Sequence, residues 1–155
     1  MTFQIRPLPR ARFAPLFGRD DADLAREGVL VRTADARPGF PCRVSLEDAE
    51  PGERVLLLNY EHQGADTPFR ARHAIYVREA AVEAQPQPGE VPEVLRRRTL
   101  SLRAFDAEGL LRDADLAEGD AIAGAIERLL AHPDTADLHL HYARMGCYAA
   151  RVARV

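Results

Sequence analysis

Leu138-His139-Leu140-His141-Tyr142 runs into Arg144-Met145-Gly146 and then Cys147-Tyr148-Ala149-Ala150-Arg151-Val152, and this stretch decides the fold. Side chains alternate across a strand, so Leu138, Leu140 and Tyr142 share one face while His139 and His141 share the other. A short break ending in Gly, between two strand-forming runs, is a turn signal. Residues 137–143 and 147–153 therefore read as an antiparallel hairpin. The preceding segments repeat the logic. Leu100, Leu102 and Ala104 alternate with Ser101, Arg103 and Phe105, then Asp106-Ala107-Glu108-Gly109 makes a hairpin turn and residues 110–114 return. Between the two hairpins, Ile122, Ile126, Leu129 and Leu130 form one apolar helical face. Asp115 with Glu118 resembles a capping box at its start, and Pro133 ends it.

Upstream, Val55-Leu56-Leu57-Leu58 is an apolar run without polar alternation, so residues 54–60 read as a central strand covered on both faces. Residues 3–6, 29–33 and 73–79 read as further strands, and residues 42–44 as an extended segment. Residues 11–27 are helical in two pieces, with Asp20 or Asp21 as cap and Gly28 as stop. Pro92 opens a short helix to about Arg98. Pro51-Gly52 occupies the centre of a type II turn. Residues 84–90, rich in Pro and Gly, form a surface connection. Tight turns join most strands, so the class is α+β: a largely antiparallel curved sheet of about seven strands, with two or three helices on one face. One globular domain over residues 1–155 is expected.

Composition removes whole classes of chemistry. Of 155 residues, 21 are basic and 24 acidic, and every basic residue is Arg. A chain without Lys forms no Schiff base and has no phosphate-loop Lys. The only Ser residues, Ser45 and Ser101, lie outside any nucleophile-elbow pattern. A net charge of −3 argues against a nucleic-acid partner, and no apolar run approaches a membrane span. Two widely separated cysteines are no secreted disulfide framework, so a cytoplasmic setting is expected. The Arg- and Ala-rich usage suggests a GC-rich bacterial source. No cofactor is assigned.

The candidate chemistry concentrates at the last hairpin. His139, His141 and Cys147 are the candidate catalytic residues, for acid–base or thiol work. Arg43, Arg103 and Cys42 are the candidate ligand-binding residues, for an anionic group. Against this stand plainer readings. Both histidines could face solvent. Cys42 and Cys147 could be buried free thiols or a reversible pair. Arg103 could be solvated or bridged to Asp106 or Asp48. A structural zinc site built from Cys42, His139, His141 and Cys147 is a further alternative.

Several short motifs occur in a fixed order: Pro41-Cys42-Arg43, Pro51-Gly52-Glu53, Pro68-Phe69-Arg70, His73 to Arg78, Leu100 to Asp106, His139, Gly146-Cys147 and Arg151. In that order the chain resembles the bacterial family called domain of unknown function 1203, from about residue 3 to 154. It departs from the pattern at Phe69, where Tyr is expected, and at His73-Ala74, where Gly-Pro is expected. The resemblance implies a small single-domain bacterial protein and no activity. Cys42, Arg43, Arg103, His139 and Cys147 match its motifs. The functional expectation is a binding protein or small enzyme for a small anionic molecule, with its site near the last hairpin. The rival is a non-catalytic homodimeric interaction module, formed through an edge strand, for which 147–153 is the candidate, or through the apolar part of the sheet.

Overall fold

The computed structural model describes residues 1–155. Its strands are β1 (Phe3–Arg6), β2 (Leu30–Thr33), β3 (Arg54–Gln63), β4 (Ala71–Arg78), β5 (Leu100–Phe105), β6 (Leu111–Ala117), β7 (Asp137–Tyr142) and β8 (Tyr148–Arg154). Three α-helices, α1 (Asp21–Arg26), α2 (Glu93–Arg96) and α3 (Ala121–Leu130), join them, with short 3₁₀ turns at Arg10–Arg12 and Ala14–Leu16. The fold is α+β and antiparallel. The strands form two sheets rather than one: a five-stranded sheet in the order β1-β8-β7-β5-β6, and a three-stranded sheet in the order β2-β3-β4. No helix is long and apolar enough to cross a membrane.

The large sheet buries one face under α3. Ile122, Ile126, Leu129 and Leu130 recur at helical spacing and meet Leu100, Leu102, Leu138 and Leu140, all fully or nearly fully buried. Each such side chain contributes about 1.5–3 kcal/mol by leaving water, so this layer dominates the core. The helix starts later than the Asp115–Glu118 pattern suggests. Residues 115–117 complete β6 against Leu100–Leu102, because ladder bonds there outweigh a local cap. Asp120 takes the N-cap position without a side-chain bond.

The opposite face of the large sheet carries Ser101, Arg103, His139, His141 and Tyr148. The small sheet covers part of it, with Leu58, Tyr60 and Ile75 gathered around Tyr148. β3 is the centre of its sheet, as its apolar run implies, although only Val55 and Leu56 are fully covered. The two sheets are tied at one end by the β5–β6 turn, where the Thr67 hydroxyl donates to the Gly109 carbonyl at 3.2 Å. Gly109 has φ +82°, and a Cβ there would sit 2.4 Å from the Ala65 Cβ, so this contact requires glycine.

Two expectations about the edge change. β8 lies between β1 and β7, so both its edges are paired, and the proposed self-pairing of residues 147–153 has no free edge to use. The segment 42–44 is not a strand. Pro41 and Cys42 make isolated bridges to Asp48 and Tyr76, and the chain then turns.

Candidate functional site

Four of the five histidines converge between the sheets. His139 and His141 come from β7, where they pair with Arg103 and Ser101 of β5. His73 comes from β4 beside Tyr60, and His62 follows the β3 bulge at Glu61/Gln63. Ring centroids lie 4.6 Å apart for His62 and His141, 4.9 Å for His62 and His73, and 5.1 Å for His73 and His141. The Tyr148 ring stacks on His62 at 5.3 Å. His139 and His141 are 5% and 0% exposed, so the solvent-facing reading of this pair is wrong. The second sheet covers them, and a single-strand pattern carries no information about that layer.

Hydrogen bonding divides these rings into holders and open donors. His141 Nδ1 lies 2.9 Å from the Gly146 carbonyl. A carbonyl only accepts, so Nδ1 carries the proton and Nε2 the lone pair. His62 Nδ1 meets His139 Nδ1 at 2.7 Å, and His139 Nε2 is 3.7 Å from Asp137 Oδ1. One of these two Nδ1 atoms donates to the other, and in the tautomer in which His62 is the donor its Nε2 carries the lone pair. What remains is His62 Nε2, His73 Nδ1 and His141 Nε2, each buried without any partner. One ring nitrogen from each of these residues lies within 4.8 Å of the others. A tetrahedral ion with bonds of ~2.0–2.1 Å separates its ligands by ~3.3 Å, so small ring movements would bring the three onto one ion.

The electrostatics keep the site neutral. Burial pushes His62 down to about 3 and His141 down to about 2. Burial also pushes His139 down to about 4, against the pull of Asp137. Burial likewise lowers His73, and Arg103 adds to the depression of all four rings. At neutral pH these are unprotonated imidazoles, the form that binds metal. Arg103 has no carboxylate partner. Its only side-chain bond is a long one, 3.5 Å from Nε to the Ser101 hydroxyl, and burial lowers its pKa. The expected bridges to Asp106 and Asp48 do not form. Asp106 accepts from Arg112 and from the backbone of its own turn, and Asp48 is taken by Arg98 at 2.6 Å. A cleft of about 450 Å³ opens on His62, His139, Asp137, Tyr148 and Arg151.

The remaining sequence candidates sit elsewhere. Cys42 is buried, and its sulfur faces the backbone N–H groups of Val44, Ser45 and Arg78 at 3.3–3.5 Å. Cys147 is partly exposed, and both thiols are free. The zinc set of Cys42, His139, His141 and Cys147 is therefore not assembled. Only His141 of the four belongs to the cluster of ligand-type nitrogens, because Cys42 is committed to the backbone of its own turn and His139 to His62. Arg43 is 3% exposed and ties the loop to the last hairpin, donating to the carbonyls of Tyr148 at 2.8 Å and Pro41 at 2.6 Å. The strand pattern alone does not single out His62 and His73. The signal available for them is a pair of histidines flanking one loop between strands, since four of five histidines then fall in or beside strands.

Comparison with known families gives one match. The family model described as protein of unknown function, DUF1203, covers residues 39–154, so the chain belongs to that family. No curated protein and no solved structure matches it.

Proposed function

We propose that this DUF1203 protein holds one divalent first-row transition metal, of the zinc class, on His62, His73 and His141, and binds a small anion between that metal and Arg103. The observation that carries the reading is that His62, His73 and His141 each leave one buried ring nitrogen without a partner and each bring a ring nitrogen within 4.8 Å of the others. Buried polar atoms are almost always bonded in native proteins, and three orphans in one cluster call for a common partner. Three neutral nitrogens without a carboxylate suit zinc, iron, copper or nickel better than calcium or magnesium. A three-imidazole set also leaves a coordination position open, which is the arrangement of catalytic rather than structural zinc.

The anion follows from charge. Arg103 lies close enough to depress all four imidazoles and has no acid to neutralise it. A metal cation beside an unpaired guanidinium is repulsive unless a negative group lies between them. Direct anion binding by protonated histidine is disfavoured, because burial keeps these rings neutral at pH 7. When bound, the metal would supply Lewis-acid polarisation of the anion or an acidified water. The chain's own contributions are orientation and polarity. The Gly146 carbonyl fixes the His141 tautomer, His139 holds the His62 ring through their Nδ1 contact, and Tyr148 covers His62 from one side. The free state of both thiols supports a cytoplasmic setting.

The test is metal stoichiometry. Protein stripped with chelator and titrated with Co²⁺ should bind one equivalent with ligand-field bands of a nitrogen-rich site. H62A, H73A and H141A should each abolish the bands, and the double variant C42S/C147S should keep them. Absence of any stoichiometric binding of Co²⁺, Zn²⁺, Fe²⁺ or Ni²⁺ overturns the proposal.

A further inference from the structure

A second cavity, of about 570 Å³, opens at the other end of the last hairpin and is independent of the histidine cluster. Its wall is largely apolar: Leu57, Ala74 and Tyr76 of the small sheet face Tyr142 and Met145 of the last hairpin. Arg43 and Arg98 flank the Tyr142 ring, with guanidinium carbons 5.0 Å and 5.2 Å from its centroid. The two cations are not equivalent. Arg98 is neutralised by the buried carboxylate of Asp48. Arg43 has no acid within ion-pair range. Nε and Nη1 are spent on the Tyr148 and Pro41 carbonyls, and Nη2 makes no hydrogen bond. A buried guanidinium held by two carbonyls and the face of the Tyr142 ring has no negative charge to compensate it, a costly arrangement unless something negative arrives.

We infer that this cavity is a binding site for a small monocarboxylate with an apolar body, its carboxylate on Arg43 and its hydrocarbon against Leu57, Ala74 and the two tyrosines. The buried charge selects the headgroup. Arg43 is the buried cation of the wall without an acid, and Arg144, which also lines the cavity, is exposed to solvent. One negative charge compensates the buried guanidinium, whereas a phosphate dianion would bring excess charge against an apolar wall. Cavity size and lining match those of ordinary small-molecule sites. Cys147 lines the same cavity and is partly exposed, while Cys42 is 1% exposed, so the Cys147 thiol reports occupancy.

The experiment is the rate of Cys147 labelling by a disulfide reagent, in chelator so that the histidine site stays empty. Octanoate should slow the labelling saturably, and octanol should protect with roughly tenfold weaker affinity or worse, as expected for loss of a charged hydrogen bond. A74L, which fills the cavity without touching the Arg43 bonds, should remove the protection. R43M should remove the preference for octanoate over octanol if it folds, and A74L keeps the inference testable if it does not. Equal protection by octanoate and octanol, or unchanged protection in A74L, overturns the assignment.

Discussion

Acidification of the metal-free protein isolates the energetic signature of the buried histidines. In the unfolded chain each imidazole titrates near ~6.5. In the folded chain burial holds His141 down to about 2 and His139 down to about 4. Above pH 6.5 neither state is protonated, and the rings contribute no pH dependence. As pH falls below 6.5, the unfolded chain takes up protons that the folded chain refuses, so stability falls. At pH 5 the unfolded pKa lies about 1.5 units above the solution pH, which is about 2 kcal/mol per ring at 1.36 kcal/mol per unit. His139 and His141 together should therefore cost about 4 kcal/mol between pH 7.5 and pH 5. His62, less deeply buried, adds a smaller, solvent-screened share. Domains of this size are stable by only about 5–15 kcal/mol, so the loss is large. Carboxylates with depressed values, such as Glu53 and Asp106, titrate below this window and do not confuse it. Urea unfolding followed by far-ultraviolet circular dichroism suits a chain without Trp. At pH 5 the slope of stability against pH should correspond to about two protons or more. A stability flat to within about 1 kcal/mol over this range would refute the neutral buried cluster.

Four further outcomes follow. H73L removes one orphaned nitrogen, so it should abolish metal binding while leaving metal-free stability unchanged or raised by about 1–2 kcal/mol, measured by urea unfolding at pH 7.5. R103L should keep Co²⁺ binding but lose the change that acetate or azide makes in the Co²⁺ spectrum; retention of that change would remove Arg103 from the anion site. R98M leaves the Asp48 carboxylate, 2% exposed, with only the Gly39 N–H at 3.3 Å and Arg97 at 4.0 Å, and should cost about 3 kcal/mol, visible as a fall in melting temperature. G109A places a side chain 2.4 Å from Ala65 at φ +82° and should destabilise by more than 1 kcal/mol, with weaker metal binding as the tie between the sheets loosens.

The fold was legible where patterns are local. The period-2 alternation of residues 100–105 and 138–142 and the i, i+4, i+7, i+8 face of α3 each report on one interface with one core, and both appear as read. What failed depends on a second layer. His139 and His141 are polar in the strand pattern, so sequence alone leaves them facing solvent. They are buried only because β3 and β4 return over that face as a separate sheet. The same layer brings His62 and His73 from a hairpin some 70 residues away in sequence. Arg43 and Cys42, by contrast, stand out in the sequence as adjacent chemistry-bearing types, and in the fold their hydrogen bonds go to backbone groups, Cys42 to Val44, Ser45 and Arg78 and Arg43 to Pro41 and Tyr148, with Arg43 Nη2 left free. A match to a family motif does not distinguish a residue that holds a loop from one that meets a ligand.

The cost of the histidine cluster is the strongest argument that something completes it. An unpaired buried donor or acceptor costs about 1–3 kcal/mol, and here three occur together, His62 Nε2, His73 Nδ1 and His141 Nε2, beside a guanidinium without an acid. Leucine or phenylalanine at these positions would fill the same space at no such cost. A chain that keeps four imidazoles and one unpaired cation in a layer otherwise built from Ile75, Val77, Leu58 and Tyr60 spends a sizeable part of a marginal stability on them. Hydrogen bonding within the cluster does not recover that cost, because the Gly146 carbonyl holds His141 Nδ1 and His139 holds His62 Nδ1, while His62 Nε2, His73 Nδ1 and His141 Nε2 stay without a partner. A metal ion would satisfy three such nitrogens at once, and an anion on its open position would neutralise Arg103. The proposed metal and anion therefore stand or fall as one site: the metal without the anion would leave Arg103 repelled, and the anion without the metal would leave three nitrogens unpaired.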